Sequence, residues 1–434
     1  MALLRQVLEF ARNANQRRDY ASLAMVFVLP SETSFNELVV EVQRLPEAAL
    51  DREVATLQIN DGQEFAEVLR RYLRFLRIYA TQDWGNMARS MIEIIKSCAS
   101  ILKPKQTENR QVESIAWFMP SLKKLCLSAI AICTVADEKN PRALTRGNAF
   151  AELRSLLGIS NLRPDKDKHT AVLFLAGQIV RVSLQLDVQG ALAHTLRQIS
   201  GVVSQMELAP QADRLRFCYW AGRWHLLEHR VGVAYPLLKT AFSICPNRMM
   251  KHKRSIFRQL LGAAIPLGIF PHPTLLKAFG LHTYFVPLIR AMKAGDAIAL
   301  ALAIDSQEPR DWFRRYGLHT VLKEKCCIVV WRNLVYKTYT FLEENYNGRS
   351  VDSIPFSLLG RVFRLSYDVD DGWDQLRIQS VIMSLVSQGY IIGRVEGFQS
   401  LSLRPNGTRR ERFPNFSSVR QTYQVQAIWG VNLK

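Results

Sequence analysis

Two short groups of residues near the middle of the sequence carry side chains that could do chemistry. The first is His225-Leu226-Leu227-Glu228-His229, which matches the H-x-x-E-H pattern of one class of zinc proteases. On a helix, both imidazoles would share a face and could bind one metal ion. A five-residue match arises readily by chance, and no P-loop, G-x-S-x-G or paired-cysteine motif accompanies it. We therefore expect no metal, no cofactor and no catalysis, and rank metal-dependent hydrolysis at His225 and His229 third among the functions considered.

The second group is a cluster of cations comprising Lys251, Lys253, Arg254 and Arg258. Cations at and just after the predicted start of a helix can contact several phosphates at once. Such contacts supply affinity without reading a base sequence. These four residues are therefore the first candidates for binding nucleic acid.

The charge of the whole chain also favours a polyanionic partner. The 434 residues include 57 Lys and Arg against 38 Asp and Glu, a net charge of +19. Residues 214–258 carry ten of these cations and a single acid, Glu228, so nearly half of the excess lies in that segment. A solubilising surface is the alternative interpretation. Like charges concentrated in this way repel one another, however, and such a segment usually binds a partner of opposite charge.

Further cations stand in the last quarter of the chain and form a second set of nucleic-acid candidates. Four of them lie in a segment with a winged-helix pattern: Arg361, Arg364, Arg377 and Arg394. Ordinary exposed helix charges would explain these four equally well.

Three more cations occur close to aromatic residues near the end of the chain. Arg409, Arg410 and Arg412 precede Phe413 and Phe416. Charge combined with aromatic stacking surfaces suits single-stranded nucleic acid. A disordered tail would have the same composition, so this alternative stays open.

These candidate residues need elements to position them, and the first two thirds of the chain is patterned for helices. Apolar residues recur at intervals of three and four, as in the stripe Ala66, Leu69, Tyr72, Leu73 and Leu76. Further helices are predicted over 84–103, 113–136, 170–186 and 189–206. This succession indicates helix pairs stacked side by side.

The clearest helical pair is predicted over residues 212–245. On its second helix one continuous apolar face comprises Ala234, Leu237, Leu238, Ala241, Phe242 and Cys245. On its first helix Leu215, Tyr219, Gly222 and Leu226 make the matching stripe. We expect Gly222 to let the two helices approach closely, as in a tetratricopeptide-like unit.

The pattern changes after about residue 347. Helices are predicted over 354–365 and 374–387, the second ending at Gly389, and short strands over 390–395 and 398–403. Helix, helix, strand, strand in this order is typical of a winged helix.

The predicted fold class is thus an all-α helical repeat of tetratricopeptide-like pairs, ending in a winged-helix subdomain with a small β-hairpin. We expect an N-terminal repeat over 1–205, a second helical part over 206–346, the winged helix over 347–405 and a basic, irregular tail over 406–434.

A series of residues along the second half of the chain resembles one branch of the PCI-domain family. It begins with Tyr219-Trp220-Ala221-Gly222-Arg223, the apolar face of 234–242 and Cys245-Pro246. It continues in order with Lys253-Arg254, Ile265-Pro266-Leu267, Ala291-Met292, Gly295-Asp296, Trp312-Phe313 and Arg332-Asn333-Leu334. The resemblance covers about 215–404. No single motif in it is specific, but the ordered series is.

That branch includes the PCI subunit of the transcription-coupled mRNA export complex and a signalosome-associated relative. The resemblance implies a non-enzymatic scaffold that pairs with a larger PCI-type helical subunit and with a small acidic bracing protein. It also implies a joint basic surface for RNA or DNA and a location in the nucleus, at the nuclear pore. The alternative is the signalosome-associated subunit, which would act only in protein assembly.

The resemblance also suggests where a partner would bind. In PCI assemblies the exposed edges of the winged helix pack against a neighbouring PCI domain, so Leu401 and Leu403 are candidates to extend a sheet across that interface. No membrane partner is expected, because the longest uncharged stretch, Gln259 to Leu276, is interrupted by glycine and proline.

Overall fold

The structure is a computed structural model. It describes residues 2–27, 36–55, 63–105, 112–142, 144–188, 190, 192–345, 351–367, 373–397, 399–405 and 407–422. The chain divides into two compact units, Met1–Trp220 and Ala221–Lys434. The division falls inside one helix, whereas the sequence suggested a boundary at residues 205 and 206.

The first unit is helical throughout its described residues. Its helices are α1 (Ala2–Gln16), α2 (Tyr20–Ala24), α3 (Asn36–Arg44), α4 (Glu47–Ala55), α5 (Gln63–Tyr79), α6 (Trp84–Leu102), α7 (Met119–Lys139), α8 (Thr145–Asn161), α9 (Asp167–Leu186), α10 (Leu192–Gln198) and α11 (Ser200–Ser204), with 3₁₀ turns at Met25–Phe27 and Met206–Leu208. Consecutive helices pack on each other, α5 on α6, α6 on α7, and α8 on α9. The stripe predicted on α5 is buried at every position, so the predicted helical repeat is confirmed.

Helices α7 and α9 are long and apolar enough to span a membrane on length and composition alone. Within the unit, however, 56% and 72% of their most apolar windows are buried against other helices. Both helices therefore have the surroundings of core helices.

The arginines of α5 are bound by acids of the same unit. Arg70 Nε lies 2.9 Å from Asp51, Arg71 Nε 2.7 Å from Glu67, and Arg74 Nη2 2.8 Å from Glu47. The fourth arginine, Arg77, donates to the carbonyls of Val42 and Leu45. Three of the four cations on this helix are thus paired with a carboxylate.

Helix α12 (Gln211–Leu227) leads into the second unit, whose helical part is built from pairs. Its helices are α13 (Val231–Ile244), α14 (Met250–Ala264), α15 (Pro273–Ala278), α16 (His282–Ala294), α17 (Ala297–Asp305), α18 (Gln307–Arg315) and α19 (His319–Asn345), with 3₁₀ turns at Asn247–Met249 and Ile265–Leu267. A methyl group added at Gly222 would lie 2.7 Å from Leu238 Cγ. The close approach predicted at Gly222 is therefore confirmed.

The unit ends in a winged helix, as predicted. Its elements are β1 (Ser353–Pro355), α20 (Phe356–Tyr367), α21 (Gln375–Ser387), β2 (Gly393–Glu396) and β3 (Ser400–Leu403). The strands form one antiparallel sheet in the order β1-β3-β2, with Ile354 paired to Leu401 and Val395 also paired to Leu401. Strand β1 was missed in the sequence because two of its three residues, Ile354 and Pro355, were assigned to the predicted helix over 354–365.

Gly389 ends α21 as expected of a helix-capping glycine. The φ of Gly389 is +75°, a left-handed conformation that is unfavourable for a residue with a Cβ. The amides of Gly389 and Tyr390 donate to the carbonyls of Val386 and Leu385. These are the two bonds of a Schellman motif, so the chain turns sharply here towards β2.

The described part of the predicted tail is not irregular. Residues 407–422 contain α22 (Arg409–Arg412) and α23 (Phe416–Thr422), and Phe413 is buried in the winged-helix core. Arg332 of α19 donates to the carbonyls of Phe413 and Pro414, each at 3.2 Å. The expectation of an irregular tail is therefore wrong for this segment, while residues 423–434 lie outside the described residues.

Candidate nucleic-acid interface

The first candidate cluster lies on α14, at the start of that helix. The helix follows Pro246 and a 3₁₀ turn at Asn247–Met249. Its first turn, Met250 to Lys253, contains no acidic residue. Because an α-helix turns 100° per residue, Lys251, Arg254 and Arg258 share one face. Lys253 points about 100° or more away from each of them. We call Lys251, Arg254 and Arg258 the α14 face.

Lys253 is held by the turn that precedes the helix. Its Nζ lies 3.0 Å from the carbonyl oxygen of Cys245 and 2.7 Å from Asn247 Oδ1, and 5.0 Å from the centre of the Phe242 ring. This lysine therefore closes the connection between α13 and α14. The structure separates it from the other three candidates of the cluster.

The two arginines of the α14 face contact neutral groups. Arg254 Nη2 donates to the carbonyl oxygen of Gly280 at 3.2 Å. The guanidinium carbon of Arg258 lies 3.3 Å from the centre of the Tyr316 ring, and Nη2 lies 3.2 Å from Ser255 Oγ. Lys251 and Arg254 are exposed and Arg258 is partly exposed. These contacts orient the two guanidinium groups, and the contacting groups are neutral.

The sequence around the α14 face contains no acid over a long stretch. Ten Lys and Arg and not one Asp or Glu occur between Glu228 and Asp296. Local carboxylates therefore cannot neutralise the face from α13, α14, α15 or α16. A concentration of like charge of this kind raises the local density of anions and speeds their association.

The winged-helix candidates differ from one another. Arg361 and Arg364 are exposed on α20, and Arg377 of α21 lies over the Trp373 ring at 4.4 Å. Arg394 of β2 pairs with Glu396 of the same strand at 2.6 Å. Of these four candidates, Arg394 therefore has an acidic partner within its own strand.

The three arginines near the end of the chain have three different environments. Arg409 pairs with Glu343 at 2.5 Å, and Arg410 is exposed. Arg412 is 1% exposed; it donates to Val351 O at 2.8 Å and pairs with Asp352 at 2.5 Å. Because Arg412 is buried, it cannot contact phosphate, and the prediction for this residue is wrong.

The two phenylalanines of this segment are also engaged internally. Phe413 is 3% exposed and packs against Tyr336 and Tyr339. The Phe416 ring lies against Gly268, where an added methyl group would come within 2.4 Å of it. The predicted stacking surface beside Arg409, Arg410 and Arg412 is therefore occupied by the protein itself.

The predicted partner contacts at Leu401 and Leu403 are wrong. Both side chains are buried, at 0% and 1% exposure, in the core of the winged helix. Their strand, β3, lies between β1 and β2, so both of its edges are already paired. The edge strands of this sheet are β1 and β2.

The two histidines of the H-x-x-E-H match do not share a helical face. Helix α12 ends at Leu227, and His229 adopts a left-handed conformation with φ 58°. The amides of His229 and Arg230 donate to the carbonyls of Leu226 and His225, which is the Schellman arrangement of a helix end. His229 therefore occupies the position that glycine usually takes.

The chemical environments of these two histidines also differ. His225 is fully buried beside Trp224, and burial lowers its pKa to about 3. His229 Nδ1 lies 2.6 Å from Glu324. Among the described residues no group of three His, Cys, Asp or Glu side chains is arranged to bind a metal ion.

Sequence reasoning missed the aromatic residues that adjoin the α14 face. Tyr284, Trp312 and Tyr316 form a row of contacting rings next to Arg258. The spacing of four between Trp312 and Tyr316, flanking Arg314 and Arg315, was a local signal for this row. The partner on α16 could not be found from the sequence, because that contact depends on how α16 and α18 pack.

The chain is similar to several proteins along much of its length, although no protein-family model matches it. It is 28% identical over 251 residues to PCI domain-containing protein C1105.07c of Schizosaccharomyces pombe; the match covers 57% of this chain and 55% of that protein. It is 27% identical over 371 residues to PCI domain-containing protein 2 of Xenopus laevis, a match that covers 82% of this chain and 86% of that protein. A protein named CSN12 homolog in Mycosarcoma maydis is 20% identical over 308 residues, covering 64% and 66%.

Proposed function

Because the chain is a PCI-domain protein, we propose that it is a non-enzymatic scaffold subunit of a nuclear mRNA export complex. In this proposal it pairs with a larger PCI-type helical subunit and binds RNA or DNA through a joint basic surface. The α14 face is the contribution of this chain to that surface. The observation that carries the proposal is that the two arginines of the face contact neutral groups and that the whole face lies within an acid-free stretch of sequence.

The contacts of the α14 face suit it to phosphate. A hydrogen bond to a carbonyl or a stacked ring fixes an arginine without cancelling its charge, so a phosphate oxygen meets an oriented cation. Charge-assisted hydrogen bonds of this kind are about twice as strong as neutral ones. If about five phosphates are bound in total, log K should fall with log salt at a slope of about −3.5 for a single strand.

The pairing with a larger helical subunit is supported by the surface of the winged helix. Leu365 on α20 and Leu376 on α21 are 80% and 72% exposed. Large apolar side chains this exposed are commonly found where a second protein binds. A small acidic bracing protein and a location at the nuclear pore belong to the same proposal, since a chain of net charge +19 suits an acidic partner.

A second candidate function is protein assembly alone, as in a signalosome-associated PCI subunit. It is favoured because several residues predicted to contact nucleic acid are instead bound to other groups of the protein. Lys253 closes a turn, Arg394 and Arg409 are paired with acids, and Arg412 is buried. On this account the positive charge of α14 serves only solubility.

Titration of a labelled single-stranded oligonucleotide distinguishes the two functions. The variant carries Lys251→Glu with Arg254→Glu, and the control carries Arg142→Glu with Arg154→Glu. The control residues are exposed cations of the first unit, so both variants change the net charge equally.

The proposal predicts that the α14 variant binds about 30-fold more weakly, which corresponds to about 2 kcal/mol. The control should stay within about twofold of the unmodified chain. Equal weakening in both variants, or no binding by any of the three at about 0.15 M salt, would support assembly alone.

A further inference from the structure

A row of three aromatic rings lies next to the α14 face. The rings of Tyr284 and Trp312 are stacked, with centres 4.2 Å apart and planes 13° from parallel. Trp312 meets Tyr316 edge to face at 4.9 Å. The guanidinium of Arg258 continues the row at 3.3 Å from the Tyr316 ring. We call these three rings the aromatic row.

The helices that carry the aromatic row explain its geometry. Trp312 lies on α18 and Tyr316 directly follows that helix, four residues later, so the two side chains stand one above the other. Tyr284 lies in the first turn of α16. Beneath the row, Phe285 and Phe313 are fully buried and in contact at 5.6 Å, which fixes the two helices against each other.

The aromatic row adjoins the α14 face through Arg258, whose guanidinium lies over the Tyr316 ring. All three of its rings are partly exposed, in contrast to the two buried phenylalanines below. Arg254 bonds to the carbonyl of Gly280, two residues before α16 begins. Arg314 and Arg315 are exposed immediately before Tyr316. Cations therefore border the row along α14 and at the end of α18, while the Tyr284 hydroxyl donates to Glu308 at 3.1 Å at the other end of the row.

Aromatic rings bordered by oriented arginines favour one class of polyanion. Membrane headgroups and acidic proteins need charge but have no flat π-surface that repeats along a chain. Each nucleotide of a single strand has both a phosphate and a base that can stack on an aromatic side chain or on a guanidinium plane. In a duplex the bases are already stacked on each other.

We propose that single-stranded nucleic acid binds with its phosphates on the α14 face and with one or two bases packed against the aromatic row. This inference rests on the proposed function and makes it more specific, because phosphate contacts alone do not require bases. It predicts a preference for single strands over duplexes. It also predicts little preference for base sequence, since every base has a stacking face.

The most direct experiment changes the ligand rather than the protein. Two oligonucleotides of equal length are titrated against the full chain, one with bases and one with abasic residues throughout, so that the number of phosphates is the same. We expect the abasic strand to bind about tenfold more weakly or worse, the loss of about one stacked base at about 1.4 kcal/mol. Their salt slopes should be equal, because the phosphate contacts are shared.

A pair of protein variants assigns the effect to the aromatic row. Tyr316→Leu removes the ring under Arg258, and Tyr235→Leu is the control because Lys239 lies over the Tyr235 ring at 6.0 Å elsewhere in the same unit. Tyr316→Leu should reduce the preference for the strand with bases, whereas Tyr235→Leu should keep it. If Tyr316→Leu does not fold, the two ligands alone still decide the question.

Equal affinity for the two strands would overturn this inference and leave the proposed function intact. Equal affinity of the intact strand and of a duplex of the same length would also contradict it. If neither strand binds, both the proposed function and this inference fail.

Discussion

Helices α5 and α14 each carry four cations, but the two sets have different partners. On α5, three arginines are paired with carboxylates, the closest pair being Arg70 and Glu67 at 2.6 Å. On α14, the contacts of Lys253 and Arg254 are to carbonyl and amide oxygens, and Arg258 lies on a tyrosine ring. A count of cations does not distinguish these helices, whereas the chemistry of their partners does.

The difference originates in the sequence around each helix. Acids at 47, 51, 67 and 93 lie close enough in the fold to reach α5. Around α14 no acid occurs between Glu228 and Asp296. The ion pairs of α5 therefore contribute to the first unit itself, while the contacts of Lys253, Arg254 and Arg258 on α14 are to neutral groups. This comparison predicts that removing an internally bound cation lowers stability, and that removing one from the α14 face lowers affinity.

The largest effect is expected at Arg412, the most deeply bound cation of the second unit. Arg412→Met removes the hydrogen bonds that the buried guanidinium donates to Asp352 and to the carbonyls of Val351 and Arg404. We expect the free energy of unfolding to fall by about 3 kcal/mol. Urea unfolding measures this, with the exposed Arg410→Met as control. If the two variants unfold at the same urea concentration, internally bound and exposed cations do not differ in their contribution to stability.

The next effect concerns His225, a basic residue that the fold keeps neutral. Burial lowers its pKa to about 3, against about 6.5 in the unfolded chain. Below pH 6.5 the unfolded state therefore binds a proton that the native state does not. The free energy of unfolding should fall by about 1.4 kcal/mol for each pH unit below 6.5, and so by about 2 kcal/mol at pH 5.

Urea unfolding at pH 6.5 and at pH 5 checks the prediction for His225. His225→Gln should lose that part of the pH dependence, while the exposed His282→Gln should keep it. A His225→Gln variant with the same pH dependence as the unmodified chain would show that the native state accepts the proton.

A smaller effect separates two lysines of α14. Lys253→Met removes the hydrogen bonds to Cys245 O and Asn247 Oδ1, and should cost about 1 kcal/mol of stability. Lys251→Met removes an exposed charge and should leave stability unchanged while weakening oligonucleotide binding. Unfolding and titration of both variants should therefore show a loss of stability only for Lys253→Met and a loss of affinity chiefly for Lys251→Met. A loss of affinity at Lys253 larger than that at Lys251 would reverse the assignment.

The smallest effect on oligonucleotide affinity is expected on α5. Arg70→Gln with Arg74→Gln removes ion pairs that are partly exposed, each worth about 0.5 kcal/mol. Oligonucleotide affinity should not change beyond the effect of net charge. If this variant weakens oligonucleotide binding as much as a double substitution on the α14 face, pairing with a carboxylate does not determine whether a cation contributes to binding.

Much of the fold could be predicted because its signals are local. The apolar face of α13, the close approach at Gly222 and the helix end at Gly389 each depend on residues a few positions apart. The winged helix was recognised from the order of its helices and strands. Its extra strand β1 was not, because three residues carry too little pattern.

The errors at the candidate site have one physical cause. Whether Arg412 faces solvent or the core depends on Val351 and Asp352, some 60 residues away. Leu401 and Leu403 alternate as any half-buried strand does, and only the pairing of β3 on both edges shows that it is central. Residue type and spacing predict which side chains could contact phosphate, but the partners supplied by the fold decide which remain available.

The salt dependence of oligonucleotide binding tests the central claim most directly. Binding of a single strand is measured from low to moderate salt for the unmodified chain and for Lys251→Gln with Arg254→Gln. Two phosphate contacts account for about 1.4 of the slope, so the account predicts a change from about −3.5 to about −2. An unchanged slope in the double variant would mean that the α14 face does not contact phosphate.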